Sequence, residues 1–258
     1  MPTVIFVRHG RSSANASGVL AGWAPGVELD ERGQMQADAV GARLAAARLP
    51  IVEVVTSPLV RCRQTADRLA APFESVPSVP SESSVASVSS LARSEHVGLG
   101  ECRYGAWTGR KLSELVKEPL WKVVQATPSK ARFPGSADYP GESMLAMQRR
   151  ALKAVRETNR RVAAEHGPEA IWVAVSHGDV IKSILSAAAG AQLDDFQRIQ
   201  VDPASVSVVR YTPRRPFVLR LNDNGGELSG LRPPDRKPAE HRGRAASSDA
   251  EVGGGAGA

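Results

Sequence analysis

Short apolar, β-branched runs alternate along this chain with segments of helical periodicity. The apolar runs predict buried strands at residues 3–8, 51–57, 171–176, 206–211 and 217–222. The helical patterns cover residues 30–47, where Asp30 can act as the N-cap, and residues 59–71, 143–165 and 179–189. Strands that lead into helices are typical of a parallel sheet covered on both faces. We therefore expect an α/β fold, a three-layer α/β/α sandwich with a mostly parallel central sheet.

Three segments break this alternation. Residues 212–216 contain two prolines and separate the last two strands, which predicts an antiparallel pair at the sheet edge. Nine of the twenty residues 75–94 are Ser, so we predict a flexible surface insertion there. Residues 223–258 are rich in Gly, Pro, Ala and charge without periodicity, and we predict a disordered tail. The folded domain is then residues 1–222.

The charge of the chain allows three kinds of partner. Lys and Arg number 33 and Asp and Glu number 27, a formal net charge of +6 that would suit nucleic acid, an anionic membrane or a phosphorylated substrate. Residues 1–222 carry 28 basic and 21 acidic side chains, whereas residues 223–258 carry five and six. The excess lies in the folded part and aromatic residues make up only 5% of the chain, so we expect no nucleic-acid partner.

Two further observations concern the compartment. No apolar stretch approaches the roughly 18 residues of a membrane span, and no basic segment precedes the first apolar run, so we expect neither export nor a membrane partner. Cys62 and Cys102 are too few for a disulfide framework at this length. We expect a cytoplasmic protein.

Two of the predicted strands end in a His-Gly pair. Arg8-His9-Gly10 closes the strand at 3–8, and Ser176-His177-Gly178-Asp179 closes the strand at 171–176. The strand at 51–57 leads into a helix whose first turn contains Arg61. The carboxyl ends of strands in an open α/β sheet are where ligands bind. Two Arg and two His at one edge would form a pocket suited to a phosphoryl group.

A metal site is an alternative use of the same edge. His9, His177 and Asp179 together are chemically reasonable ligands for zinc. A metal site, however, has little use for two positively charged guanidinium groups next to the ion. We therefore expect no metal and no cofactor.

Further motifs identify a family. The chain resembles the histidine phosphatase superfamily, also called phosphoglycerate mutase-like, over most of residues 3–222. The resemblance rests on Arg8-His9-Gly10 and on residues 29–37, 57–65, 99–109 and 176–178. Residues 118–121 and 202–206 are similar to a bacterial phosphomutase or phosphatase subfamily. The resemblance implies a phosphoglycerate mutase-like fold.

The resemblance also implies a role for each site residue. His9 would attack phosphorus and form a phosphohistidine, and Glu101 would protonate the leaving group and later activate water. His177, as a cation, would stabilise the transition state. The phosphate-binding residues would be Arg8, Asn15, Arg61 and His177, and the substrate-loop candidates are Ser12 and Gly22.

We therefore expect a metal-independent phosphatase that acts on a small phosphorylated metabolite. A 2,3-bisphosphoglycerate-dependent type of phosphomutase is the first alternative, and a non-catalytic sensor of phosphorylated ligands is the second. The mutases of the family have two adjacent Arg after the Glu motif, where this chain has only scattered Lys122, Lys130 and Arg132, which favours the phosphatase. The oligomeric state stays open, with a dimer as one option.

Overall fold

A computed structural model of the chain describes residues 1–74, 91–226 and Gly253. Within these ranges six strands form one sheet in the order β3-β2-β4-β1-β5-β6. The strands are β1 (Thr3–Arg8), β2 (Ile51–Thr56), β3 (Ala92–Glu95), β4 (Ile171–Ser176), β5 (Val206–Arg210) and β6 (Phe217–Asp223). The first four are parallel, whereas β5 is antiparallel to both β1 and β6. This confirms the mostly parallel sheet and the antiparallel pair at its edge.

Two of the long helices begin at residues whose side chains cap them. The α-helices are α1 (Ser13–Ala16), α2 (Glu31–Ala46), α3 (Val60–Glu74), α4 (Leu112–Leu115), α5 (Pro119–Ala126), α6 (Met144–His166) and α7 (Gly178–Ala188). Short 3₁₀ turns lie at Val97–Leu99, Gly105–Trp107, Pro128–Lys130 and Leu193–Arg198. The side chains of Asp30 and Ser143 accept the backbone N–H groups of Gly33 and Ala146, which fixes the starts of α2 and α6.

Helices cover both faces of the sheet. Alternate residues of β1 point to opposite faces, so Val4 and Phe6 belong to one buried cluster and Ile5 and Val7 to another. The first cluster contains apolar side chains of α6 and α7, and the second contains those of α2 and α3. The chain is therefore a three-layer α/β/α sandwich, as predicted, with its candidate site residues at the carboxyl ends of β1, β2 and β4.

Two boundaries differ from the sequence prediction. Strand β3 overlaps the end of the segment predicted as a flexible insertion, residues 75–94. It was not predicted because its residues Ala92–Glu95 are all exposed and show no apolar alternation. It pairs in parallel with β2 at the sheet edge. Strand β6 includes Asp223, the first residue of the predicted tail, whose carboxylate pairs with Arg43 at 2.7 Å.

The rest of the predicted insertion, residues 75–90, lies outside the described residues, as do residues 227–252 and 254–258 of the predicted tail. The flexible insertion and the disordered tail therefore stay predictions there. In the part of the chain that the structure describes, no helix is both long and apolar enough to cross a membrane.

Candidate active site

The two His-Gly motifs meet because their strands are neighbours in the sheet. Strands β1 and β4 pair in parallel, with Arg8 opposite Ser176, so His9 and His177 leave the sheet side by side. Their ring centroids lie 5.2 Å apart at an interplanar angle of 63°. The residue after His9 is a glycine, Gly10, because a Cβ at this position would overlap the carbonyl oxygen of Gly33 in α2. The structure thus brings the two predicted histidines together at one edge.

The imidazole of His9 is held in one orientation. Its Nδ1 lies 2.8 Å from the carbonyl oxygen of Gly10, and its Nε2 accepts the Nε–H of Arg61 at 3.3 Å. These partners place the proton on Nδ1 and leave the lone pair on Nε2. Burial, Arg61 and Arg8 lower the pKa of His9 well below its usual value. His9 is therefore a neutral imidazole at neutral pH, with its basic nitrogen Nε2 facing Arg61.

The imidazole of His177 has the opposite arrangement. Its Nδ1 lies 3.2 Å from Nη2 of Arg61, and its Nε2 lies 2.8 Å from the hydroxyl oxygen of Ser57. Because the guanidinium can only donate, Nδ1 is the acceptor and Nε2 carries the proton. Burial and then Arg61 lower the pKa of His177 well below its usual value. Without a bound phosphate group, His177 is therefore neutral, and its role as a cation in the transition state stays a prediction.

Both predicted phosphate-binding arginines are buried at this edge. Arg8 donates from Nη1 to the carbonyl oxygen of Val201 at 2.9 Å, and Arg61 donates from Nη2 to that of Gly22 at 2.9 Å. Burial lowers the pKa of Arg8 to about 10, so that it is still charged at neutral pH. Arg8 and Arg61 are each less than 3% exposed to solvent. Their two guanidinium charges therefore form a strongly positive site with little water.

Glu101 lies within reach of the same groups. One carboxylate oxygen accepts the N–H of Cys102 at 2.8 Å, and the other lies 3.8 Å from Nδ1 of His177. Burial, followed by the charge of Asp179, raises the pKa of Glu101 to about 7. A carboxyl group with that pKa can both donate and accept a proton near neutral pH.

The backbone around Glu101 is fixed by two long side chains. The carbonyl oxygen of Glu101 accepts from Nε1 of Trp23 at 2.6 Å and from Nη2 of Arg150 at 2.7 Å. Arg150 also donates to the carbonyl oxygens of Gly98 and Gly100, at 2.9 and 2.7 Å. These contacts hold the loop that carries the carboxyl group, although this loop has no regular secondary structure of its own.

Asn15 and Ser12 form a helix cap beside the site. The side chain of Ser12 accepts the N–H of Asn15, and the amide oxygen of Asn15 accepts from both the backbone and the hydroxyl of Ser12, at 3.1 and 2.8 Å. Ser12 is therefore buried in a structural cap, which is a different role from the predicted contact with substrate. The NH₂ group of Asn15 is the part of its side chain that the cap leaves for an anion.

Gly22 also has a structural role. It adopts a φ of +49°, which favours glycine, and its carbonyl oxygen is the acceptor that orients Arg61. Its proximity to the site was predicted, but the contact is with a site arginine.

Comparisons with known proteins identify the family of the chain. The sequence profile of the histidine phosphatase superfamily (branch 1) matches residues 4–224. The chain belongs to this superfamily. It is 27% identical over 225 residues to phosphoserine phosphatase 1 of Hydrogenobacter thermophilus, a match that spans 86% of this chain and 92% of that protein.

Solved structures of superfamily members share the fold. A phosphoserine phosphatase mutant of Entamoeba histolytica in complex with phosphoserine superposes with a TM-score of 0.68 at 18% identity, covering 87% of this chain and 98% of that one. A mycobacterial glucosyl-3-phosphoglycerate phosphatase complexed with VO₃ gives 0.66 at 21% identity, covering 86% and 98%.

The sequence analysis did not predict a functional role for the buried pair Tyr104 and Asp179 beside the site. The hydroxyl of Tyr104 donates to Oδ2 of Asp179 at 2.7 Å, and both residues are fully buried. Asp179 follows the second His-Gly pair, which was a signal for its place, but the sequence suggested it only as a helix residue or a metal ligand. In the described ranges no group of three or more His, Cys, Asp or Glu side chains is arranged to hold a metal ion.

Proposed function

We propose that this chain is a metal-independent phosphatase that hydrolyses a small phosphorylated metabolite through a phosphohistidine on His9. The observation that carries the proposal is the pairing of a neutral His9, with its Nε2 beside Arg61, and a buried Glu101 whose pKa is about 7. A nucleophile and a proton donor in one cationic pocket are what phosphoryl transfer requires. A pocket that only binds anions needs neither.

In the first step the lone pair on Nε2 of His9 attacks phosphorus as the ester P–O bond breaks. The N–H on Nδ1 donates to Gly10, so the positive charge that develops on the ring faces a carbonyl dipole. Arg8 and Arg61 neutralise the non-bridging oxygens, and Glu101 gives its proton to the departing alkoxide. The products are a phosphohistidine, a free alcohol and an ionised Glu101.

In the second step a water molecule attacks the phosphohistidine. Glu101, now a carboxylate, takes a proton from this water as the P–N bond breaks. Inorganic phosphate leaves, and His9 and Glu101 return to their starting protonation states. The two guanidinium groups supply the positive charge throughout, so the cycle requires no metal ion.

Hydrolysis is favoured over mutase chemistry by the residues outside the pocket. A mutase must bind a second anionic group of its substrate until the phosphoryl group is transferred back from the enzyme. The basic side chains of the corresponding stretch, Lys122, Lys130 and Arg132, are all exposed. The relatives named as phosphatases of phosphoserine and of glucosyl-3-phosphoglycerate support phosphate release from a small ester.

The test is a phosphate-release assay on the full chain. We expect release from p-nitrophenyl phosphate, and loss of several orders of magnitude in kcat in His9→Ala. His166→Ala, which changes a half-exposed histidine at the end of α6, is the matched control and should retain activity. Rapid isomerisation of 3-phosphoglycerate in the presence of 2,3-bisphosphoglycerate, with negligible phosphate release, would assign the mutase. Equal release by wild type and His9→Ala would exclude catalysis at this site.

A further inference from the structure

The carboxylate of Asp179 is buried within electrostatic reach of Arg8. Its residue is fully buried at the start of α7, and no salt bridge to it occurs in the described ranges. Within those ranges Oδ1 has no hydrogen-bond partner, whereas Oδ2 accepts the hydroxyl of Tyr104 at 2.7 Å. A buried carboxylate oxygen without a donor is costly. Such a group is expected where a ligand supplies the missing donor.

One residue of the chain contacts both Asp179 and a predicted phosphate-binding arginine. The N–H of Gly253 donates to Oδ2 of Asp179 at 3.0 Å. The carbonyl oxygen of the same residue accepts from Nη2 of Arg8 at 3.4 Å. Gly253 thus places a nitrogen donor on Asp179 and an oxygen acceptor on a phosphate-binding arginine at the same time.

The two contacting atoms of Gly253 have the same covalent spacing as the nitrogen and ester oxygen of one class of phosphate ester. In Gly253 the nitrogen and the oxygen are joined through two carbon atoms, in the order N–C–C–O. The phosphate ester of a 2-amino alcohol has the same order, with the ammonium nitrogen two carbons from the ester oxygen. An ammonium group at the position of the Gly253 nitrogen would donate to Oδ2 of Asp179, as the Gly253 N–H does, and would have further N–H groups for Oδ1. The phosphoryl group would then lie toward Arg8.

We propose that Asp179 is the residue that selects the substrate, and that it selects phosphate monoesters of 2-amino alcohols. This inference rests on the phosphatase activity proposed above and adds the chemical class of the leaving group. The ammonium group of such an ester makes a charge-assisted hydrogen bond to Asp179. Esters with a hydroxyl in that position make only a neutral hydrogen bond, and esters with a carboxylate there are repelled.

The test compares esters that differ in one group. Phosphoethanolamine and 2-hydroxyethyl phosphate differ only in the ammonium group, and 3-aminopropyl phosphate moves the ammonium by one carbon. We expect wild type to favour phosphoethanolamine over 2-hydroxyethyl phosphate by about 10- to 100-fold in kcat/KM, the range of a charge-assisted hydrogen bond. The preference should shrink with 3-aminopropyl phosphate and fall to about threefold or less in Asp179→Asn.

Because the readout is a ratio within one enzyme, a general loss of activity in Asp179→Asn cancels. Asp38→Asn, an exposed carboxylate of α2 that pairs with Arg68, is the matched control and should keep the wild-type ratio. A wild-type ratio near one, or an unchanged ratio in Asp179→Asn, overturns the inference. If Asp179→Asn does not fold, the wild-type ratios for the three esters decide.

Failure of the phosphatase itself gives a different result. In that case wild type releases no phosphate from any ester, including p-nitrophenyl phosphate. Calorimetric titration of His9→Ala with phosphoethanolamine and 2-hydroxyethyl phosphate then measures selection without catalysis. Tighter binding of phosphoethanolamine supports the role of Asp179, and equal binding overturns it.

Discussion

Replacing Glu101 by Gln tests whether the fold favours a protonated carboxyl group at this position. Burial and the nearby Asp179 raise the pKa of Glu101 from its ordinary 4.5 to about 7. A carboxyl group whose folded pKa lies above its unfolded pKa contributes its full stabilisation below pH 4.5 and loses it as the pH rises through about 7. At pH 8 the ionised carboxylate therefore destabilises the native state relative to Gln, which has no charge to bury.

The size of the effect follows from the two pKa values. The difference between 4.5 and about 7 corresponds to about 3 kcal/mol at 1.36 kcal/mol per pH unit. At pH 5 most of the stabilisation by the protonated form is still present, so less than about 1 kcal/mol has been lost. The free energy of unfolding of Glu101→Gln, relative to wild type, should therefore rise by about 2 to 3 kcal/mol between pH 5 and pH 8.

Urea unfolding followed by tryptophan fluorescence measures this change directly, with wild type and variant compared at both pH values. Glu114→Gln is the control, because this exposed side chain makes only a surface pair with Arg110 at 4.0 Å. Its effect should differ by less than about 0.5 kcal/mol between the two pH values. An equal effect of Glu101→Gln at pH 5 and pH 8 would refute the reasoning from burial.

The same variant should lose about 10²- to 10⁴-fold in kcat with alkyl phosphates, which need a proton donor.

Two positioning residues give the remaining predictions. Arg150→Lys loses the forked contact with three carbonyl groups, so kcat should fall by about tenfold with KM nearly unchanged, whereas the exposed Arg149→Lys on the same helix should resemble wild type. Equal kinetics of the two variants would contradict a positioning role. Ser57→Ala removes the acceptor for Nε2–H of His177, so kcat/KM should fall by about tenfold and the ¹⁵N shifts of this imidazole should show a mixture of tautomers. A single unchanged tautomer would contradict this assignment.

The place of the site could be predicted because it depends on local pattern and sheet geometry. Arg8 and His9 end a strand that is recognisable from its apolar run, and His177 ends another. Parallel pairing of β1 with β4 then puts the two strand ends at one edge without further information. The capped start of α2 followed from Asp30, and the start of α6 after Ser143 followed from the helical pattern of residues 143–165.

The support of the site could not be predicted, because it consists of contacts between distant parts of the chain. Arg150 reaches carbonyl groups 49 to 52 residues away, and Tyr104 meets Asp179 across 75 residues. No periodicity or spacing encodes such pairs. Strand β3 was missed for another reason, since an exposed edge strand needs no apolar alternation.

The protonation state of His177 depends on its buried surroundings, which the motif alone does not describe. Arg61 contacts both imidazoles, and its charge lowers the pKa of each. For His9 this is an advantage, because a protonated nucleophile could not attack phosphorus. A phosphate ester carries a charge of about −1.5 to −2, and bound between the guanidinium groups it would offset their effect on both rings. The negative charge of the ester favours protonation of an imidazole in this site. Because Nε2 of His9 forms the bond to phosphorus, the imidazole that can take up this proton is that of His177, beside the oxygens that gain charge. The same two arginines therefore keep the nucleophile neutral before binding, and with a phosphate ester bound between them they would let His177 carry the proton.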